Sequence, residues 1–151
     1  GGVARRFEHR GTAAGVEFVD DYAHLPTEVA TTIRACRSGS WSRLVAVFQP
    51  HRYSRTESLA ASFAEAFDGA DVVYVTEVFP AGESPRPGVT GRLVADAVRA
   101  SRPGTDVRYE PRRDELVAGL VEELREGDLC LTMGAGDLTS VPDEVRNRLE
   151  V

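Results

Sequence analysis

Apolar positions along this chain change period several times, and the changes outline its elements. "RLVAVF", Arg43 to Phe48, is a nearly continuous apolar run, the pattern of a strand buried on both faces. From Pro26 to Arg37, the residues Val29, Ile33 and Cys36 fall on one stripe, which predicts a helix with Pro26 in its first position. Leu59, Phe63 and Phe67 recur at steps of four and predict a single helix from about Tyr53 to Phe67. Strands are also predicted at Asp71–Val75, Asp106–Glu110 and Asp128–Met133. Another helix is expected from Gly91 to Ala100 with Thr90 as N-cap, and a further one carries Leu116, Leu120 and Leu124. "SVPD", Ser140 to Asp143, has the spacing of a capping box that opens a last helix. Ahead of all these, "RRFEHRGTAAGVEFVD", Arg5 to Asp20, reads as two short strands around a Gly/Ala/Thr turn.

Strands that alternate with helices imply an α/β fold, with a mostly parallel sheet, helices on both faces and a short N-terminal strand pair. Ligands of such sheets bind outside the carboxyl ends of the strands. Four unusual segments each follow a predicted strand directly: "DDYAH", "QPHRYSRT", the loop "TEVFPAGESPRPG" and "MGAGD". All four are therefore expected along one edge.

Composition narrows the function classes. The 151 residues are 42% hydrophobic and 28% charged, as in one soluble globular domain, here residues 1–151, that needs no disulfide or metal to fold. The net charge of −6 and the lack of a basic stripe argue against nucleic-acid or membrane partners. All 18 basic residues are Arg, so the chain has neither the lysine of a phosphate-binding loop nor one for Schiff-base chemistry. Cys36 and Cys130, far apart in apolar settings, read as buried reduced thiols. The chain opens Gly-Gly-Val without Met, as a fragment or processed chain would, so a missing targeting signal says little.

Chemistry gathers in two of the four segments. Ser54 and Glu57 have capping-box spacing, which places Arg52 just before a helix and Arg55 in its first turn. Cations oppose the helix dipole there, so two of them beside His51 make sense if an anion is held by free N–H groups and guanidinium forks together. Pairing of Arg52 and Arg55 with Asp21, Glu57 or solvent is the plainer alternative. In "DDYAH", a carboxylate can accept from ribose hydroxyls or hold a metal, and His24 can donate to an anion or carry a proton. Alternatively Asp20 or Asp21 caps the following turn and His24 satisfies the backbone. "MGAGD" lacks the third glycine of a dinucleotide fingerprint, Thr139 standing in its place. As a turn that admits a nucleotide or a neighbouring loop it is reasonable. The Pro/Gly loop, with Glu77, Glu83 and Arg86, is either a mobile lid, a partner surface or a long connection.

Taken together, "DDYAHLPTE", "AVFQPHRYSRT", "EVFPAGESP" and "GAGD", in this order and spacing, closely resemble the C-terminal domain of the Mur ligases, from about Arg5 to Arg146. "PHRYSRT" points to the alanine-adding branch rather than to the tripeptide-recycling branch. The resemblance implies a three-layer, Rossmann-like domain of a cytoplasmic ligase of peptidoglycan synthesis. Its substrates would be ATP, L-alanine and UDP-N-acetylmuramic acid, joined through an acyl phosphate, with Mg2+ in the full-length enzyme. By motif match, Arg52 and Arg55 would hold the alanine carboxylate or developing phosphate charge, and His24 and Tyr22 would line the same pocket. Asp21 would be the ribose-binding carboxylate for ATP. Many members carry a second histidine where Leu25 stands, so no role of that imidazole carries over, and Leu25 is expected beneath the helix start. The family's phosphate-binding loop and metal-holding lysine lie in a central ATPase domain, which this lysine-free chain does not contain. No sequence is left for the UDP-binding domain either, so the isolated domain is expected to be inactive. A nucleotide-binding Rossmann module that is not an enzyme remains as the contrasting reading.

Overall fold

The computed structural model describes residues 6–151; Arg5, where the first strand and the resemblance were expected to begin, lies outside them. Six strands form one sheet in the order β1-β2-β6-β3-β4-β5. They are β1 (Glu8–Ala13), β2 (Val16–Asp21), β3 (Arg43–Phe48), β4 (Val72–Val75), β5 (Asp106–Tyr109) and β6 (Asp128–Met133). β1 pairs antiparallel with β2, and every other pairing is parallel. The β1–β2 turn has Ala14 and Gly15 both at positive φ, 51° and 77°, as the tightest hairpin connection requires.

The central strands read as continuous apolar runs because both their faces are covered. On one face, Val29 and Ile33 of α1 (Pro26–Cys36), with Phe63, Phe67 and Val98, pack on Ala46, Phe48 and Leu131. On the other, Leu116 and Leu120 of α4 (Arg113–Glu123) and Val145 of α5 (Val141–Leu149) pack on Phe18, Val45 and Cys130. The expected three-layer α/β architecture is what forms.

Several boundaries differ from the sequence reading. The long helix predicted from Tyr53 to Phe67 is α2 (Tyr53–Leu59), followed by a 3₁₀ turn at Ala60–Phe63. Side-chain hydroxyls account for the change: Thr56 Oγ1 donates to Arg52 O, and Ser58 Oγ donates to Ser54 O and Arg55 O. Such back-bonding competes with the helical ladder, while Phe63 and Phe67 still face the sheet. Neither predicted capping box forms. Arg52, not Ser54, is the N-cap of α2. At α5 the chain is already in a 3₁₀ turn, Asp137–Ser140, so Ser140 stays helical and its hydroxyl turns to Asp137 O and Glu144. Asp143 is drawn instead into ion pairs with Arg10 and Arg146. The helix α3 (Arg92–Ser101) starts one residue later than expected, with the Thr90 hydroxyl accepting from the Arg92 amide.

Parallel register brings Asp21, Met133, Phe48, Val75 and Tyr109 level with one another at the strand ends. The chain leaves β2 and β3 toward one face and leaves β6, between them, toward the other. A crevice is therefore built on each side of the β6 end.

Candidate functional site

All four segments singled out in the sequence do lie along this edge, but the structure divides their roles. Both aspartates of "DDYAH" are internal. Asp20 is fully buried and accepts from the hydroxyls of Thr132 and Thr139, at 2.5 and 2.9 Å. It thereby ties the loop after β6 to β2. Asp21, only 2% exposed, accepts from the Phe7 amide at 2.6 Å with Oδ1, and from the Ala23 amide and Thr32 hydroxyl, at 2.9 and 3.2 Å, with Oδ2. Asp21, the residue expected to bind ribose, therefore has partners on both oxygens. Its oxygens are committed to capping the strand end, and a buried carboxylate is held by such bonds rather than offered to solvent.

Tyr22 and His24 come from the same turn, the first exposed and the second partly enclosed. Tyr22 is 37% exposed, and its ring meets His24 edge-on with centroids 5.4 Å apart. His24 Nδ1 lies 3.1 Å from Tyr22 O; a carbonyl only accepts, so this nitrogen carries a proton. The helix behind it begins without a side-chain cap at Leu25, which is half-buried. Glu28 supplies the missing half, its Oε1 accepting from the His24 and Leu25 amides, both at 3.1 Å.

The loop after β3 brings a second imidazole. The rings of His51 and His24 are 5.4 Å apart between centroids, and His51 stacks on Phe79 at 5.6 Å with 20° between planes. His51 Nδ1 is buried without a hydrogen-bond partner. Burial, then the charges of His24, Arg55 and Arg52, push the His51 pKa down, with Glu83 opposing. Its ring is thus kept neutral beside cations. Nothing beyond the adjacency of His51 to Arg52 marked it in the sequence; its partner Phe79 comes from a loop 28 positions later, paired to it as an isolated bridge.

Arg52 and Arg55 follow. Arg52 has φ 71° and ψ 137°, a region that strongly favours glycine. Among the described residues, neither guanidinium makes an ion pair or a side-chain hydrogen bond; together they line an open depression with Ser54, Ser58 and Leu59. The expected alternative partner Glu57 is taken by Arg86, at 2.7 Å. Two of the amides at the helix start are already taken, however. The Ser54 amide already donates to Glu83 at 3.0 Å, the Ser54 hydroxyl donates to the same carboxylate, and the Thr56 amide returns to Arg52 O. An anion at this place would be held chiefly by the two guanidinium groups.

The Pro/Gly loop is tied to the elements around it. Glu77 accepts from the Val78 and Gly91 amides and from the Tyr109 hydroxyl, while Phe79 exchanges backbone bonds with Pro50 and Arg52. Val78 and Val89 close a small core on Tyr53. "MGAGD" admits this loop: a Cβ at Gly136 would stand 2.4 Å from the Phe79 ring. Beside it is a cleft of about 200 Å³ between Gln49, Glu77, Phe79, Arg113 and Asp137. Among the described residues no group of three or more His, Cys, Asp or Glu is arranged to hold a metal ion, and no helix is long and apolar enough to cross a membrane.

Comparison with known proteins gives the family of the chain. The model of the family described as "Mur ligase, glutamate ligase domain" matches residues 5–136. A UDP-N-acetylmuramate–L-alanine ligase of Myxococcus xanthus is 50% identical over 145 residues, covering 96% of this chain and 30% of that protein. The ligase of the same name from Kineococcus radiotolerans is 52% identical over 150 residues, covering 99% of this chain and 31% of that protein. Among solved structures, the UDP-N-acetylmuramate-alanine ligase of Thermotoga maritima superposes with a TM-score of 0.75 at 26% identity, over 95% of this chain and 29% of that one. The chain thus spans about a third of the length of the curated relatives it matches.

Proposed function

The chain belongs to the Mur ligase family, and from that premise we propose that it is the C-terminal, amino-acid-binding domain of a cytoplasmic, ATP-dependent ligase that joins L-alanine to UDP-N-acetylmuramic acid. The observation that carries this reading is the pair Arg52 and Arg55, two guanidinium groups without ion-pair partners among the described residues, beside two imidazoles at the carboxyl edge of a parallel sheet. Unpaired arginines on a rigid edge are suited to a carboxylate, which a guanidinium binds through two parallel hydrogen bonds.

In this reading the alanine carboxylate rests on Arg52 and Arg55. Its ammonium group, two bonds away, is directed toward His24 and Tyr22. The acyl phosphate that alanine attacks, the phosphates of ATP and Mg2+ are supplied by the central ATPase domain of the same protein, across the cleft. A ribose contact at Asp21 would need the Phe7 amide to leave its Oδ1, so no step is assigned to that residue. The isolated domain binds and positions but does not ligate. The names of the relatives favour the alanine-adding branch over the recycling branch.

The test uses the full-length protein, with ATP, UDP-N-acetylmuramic acid and L-alanine, reading phosphate release. Arg52→Ala and Arg55→Ala are expected to raise the KM for alanine or lower kcat while the melting temperature of the domain holds. Unchanged kinetics in both variants would sink the anion assignment, and a preference for murein tripeptide over alanine would move the protein to the recycling branch.

A further inference from the structure

Glu28 has two duties in the structure, and only one of them is structural. Its Oε1 accepts from the amides of His24 and Leu25, completing the start of α1. The same oxygen stands 3.6 Å from His24 Nδ1, where it faces whatever charge the imidazole carries. That nitrogen is within 3.1 Å of Tyr22 O. A carbonyl accepts only, so the Nδ1 proton is fixed and the lone pair of neutral His24 is on Nε2. A carboxylate and a carbonyl on one ring nitrogen, with the other nitrogen left as acceptor, is the arrangement that orients and supports a histidine base.

From this juxtaposition we infer that His24 Nε2 takes the proton from the ammonium group of the incoming amino acid, and that Glu28 is the positioning residue that stabilises the resulting imidazolium. The inference rests on the reading above, in which Arg52 and Arg55 hold the amino-acid carboxylate. Those arginines follow His51 in sequence and their charges act on its ring, which is 5.4 Å from that of His24, so a carboxylate on the guanidinium groups brings the ammonium group of the same molecule to the imidazole side.

One ammonium proton passes to His24 Nε2, which frees the nitrogen lone pair to bond to the acyl carbon. The carbon–oxygen bond to the phosphate breaks, and inorganic phosphate departs with that electron pair. The second proton shed by the nitrogen, as the amide forms, leaves with the phosphate. His24 then returns its proton to solvent.

The groups facing His24 come from each element around it. Glu28 of α1 favours the cation, and Arg6, ahead of β1, reaches Glu28 only at 4.0 Å and is half-exposed. Tyr22 presents a ring edge. His51 comes from the loop after β3, with its Nδ1 buried and unpartnered, and under the charges of Arg52 and Arg55 it stays neutral. Two imidazolium ions so close would repel, so with His51 neutral the cation formed when a proton is taken is the one on His24, beside the carboxylate. Glu28 itself stays ionised: burial works against it, but the His24 and Leu25 amides and the His24 ring hold its pKa below the usual glutamate value.

Two variants of the full-length ligase and two acyl acceptors test this. Hydroxylamine is a neutral nucleophile and needs no base, whereas alanine at neutral pH must lose a proton. His24→Gln is expected to depress alanine ligation roughly 100-fold more than hydroxamate formation, within the range for loss of a general base. The gap should close as pH rises and free alanine amine appears. Glu28→Gln keeps an oxygen for both amides but loses the charge, so the acidic limb of the kcat–pH profile should move to lower pH, with a lower plateau. If both acceptors slow in the same proportion in His24→Gln, or the acidic limb stays in place in Glu28→Gln, the inference is overturned. Should His24→Gln not fold, the limb in Glu28→Gln decides alone. A wild-type protein that does not ligate alanine at all would overturn the functional reading instead.

Discussion

Glu83 caps a helix that it does not belong to: its carboxylate accepts from the amide of Ser54, 29 residues earlier, at 3.0 Å and from the Ser54 hydroxyl as well. The Pro/Gly loop is thereby fastened onto the start of α2, the place from which Arg52 and Arg55 project. The side chain and then the amide of Ser54 hold the Glu83 pKa below its usual value.

A pH-dependent stability follows from that contact. A carboxyl with a depressed folded-state pKa contributes in full above its unfolded value, near 4.3, and loses the contribution as pH falls through the folded value. Glu83→Ala should therefore lower the urea midpoint at pH 7, and the wild-type and variant midpoints should converge in acid. A difference that persists unchanged at pH 3 would mean that the loop is held by something other than this charge.

Arg52 is expected to trade stability for function. At φ 71° and ψ 137° a side-chain-bearing residue is strained by on the order of 1–3 kcal/mol, partly offset in a glycine variant by the entropy of a freer unfolded chain. Arg52→Gly should raise the unfolding free energy by roughly 1 kcal/mol, measured by denaturant titration, while alanine-dependent turnover of the full-length protein falls.

Arg43 sits at the opposite end of the sheet with Asp128 and Glu123, at 2.8 and 2.7 Å. Asp128 is 1% exposed and also accepts from the Arg125 amide. Asp128→Ala leaves a guanidinium under-paired in a largely enclosed place, which costs on the order of 3 kcal/mol. Equilibrium unfolding of the domain would reveal it, and a loss under about 1 kcal/mol would show that water compensates.

Cys36 and Cys130 are buried, and burial, with Asp21 near the first and Asp128 near the second, pushes both thiol pKa values up to about 12. Since the thiolate is the reactive form, neither should react with a maleimide or disulfide reagent in the native domain at pH 8. Both should react once it is denatured.

Much of this was legible in the residues. The apolar runs of β3 and β6 and the stripe Val29, Ile33, Cys36 announced a covered parallel sheet, because period and burial are properties of local sequence. The placement of "DDYAH" and "QPHRYSRT" after strands located the edge. The helix starts were misread where a cap comes from afar. Ser54 and Glu57 have the spacing of a capping box, yet Glu83 takes the first and Arg86 the second, and no local rule contains a residue from another loop.

Sequence alone determined the fold class, the family and the edge that the four unusual segments share, since hydrophobic period and motif order survive without coordinates. Only tertiary structure decided which ionisable groups face inward. Asp20 and Asp21 are consumed by Thr132, Thr139, Phe7 and Ala23, because a buried carboxylate must find donors wherever the fold supplies them. Among the described residues, Arg52 and Arg55 are left without ion pairs for the same reason in reverse: Glu57 is taken by Arg86, and Glu83 by Ser54.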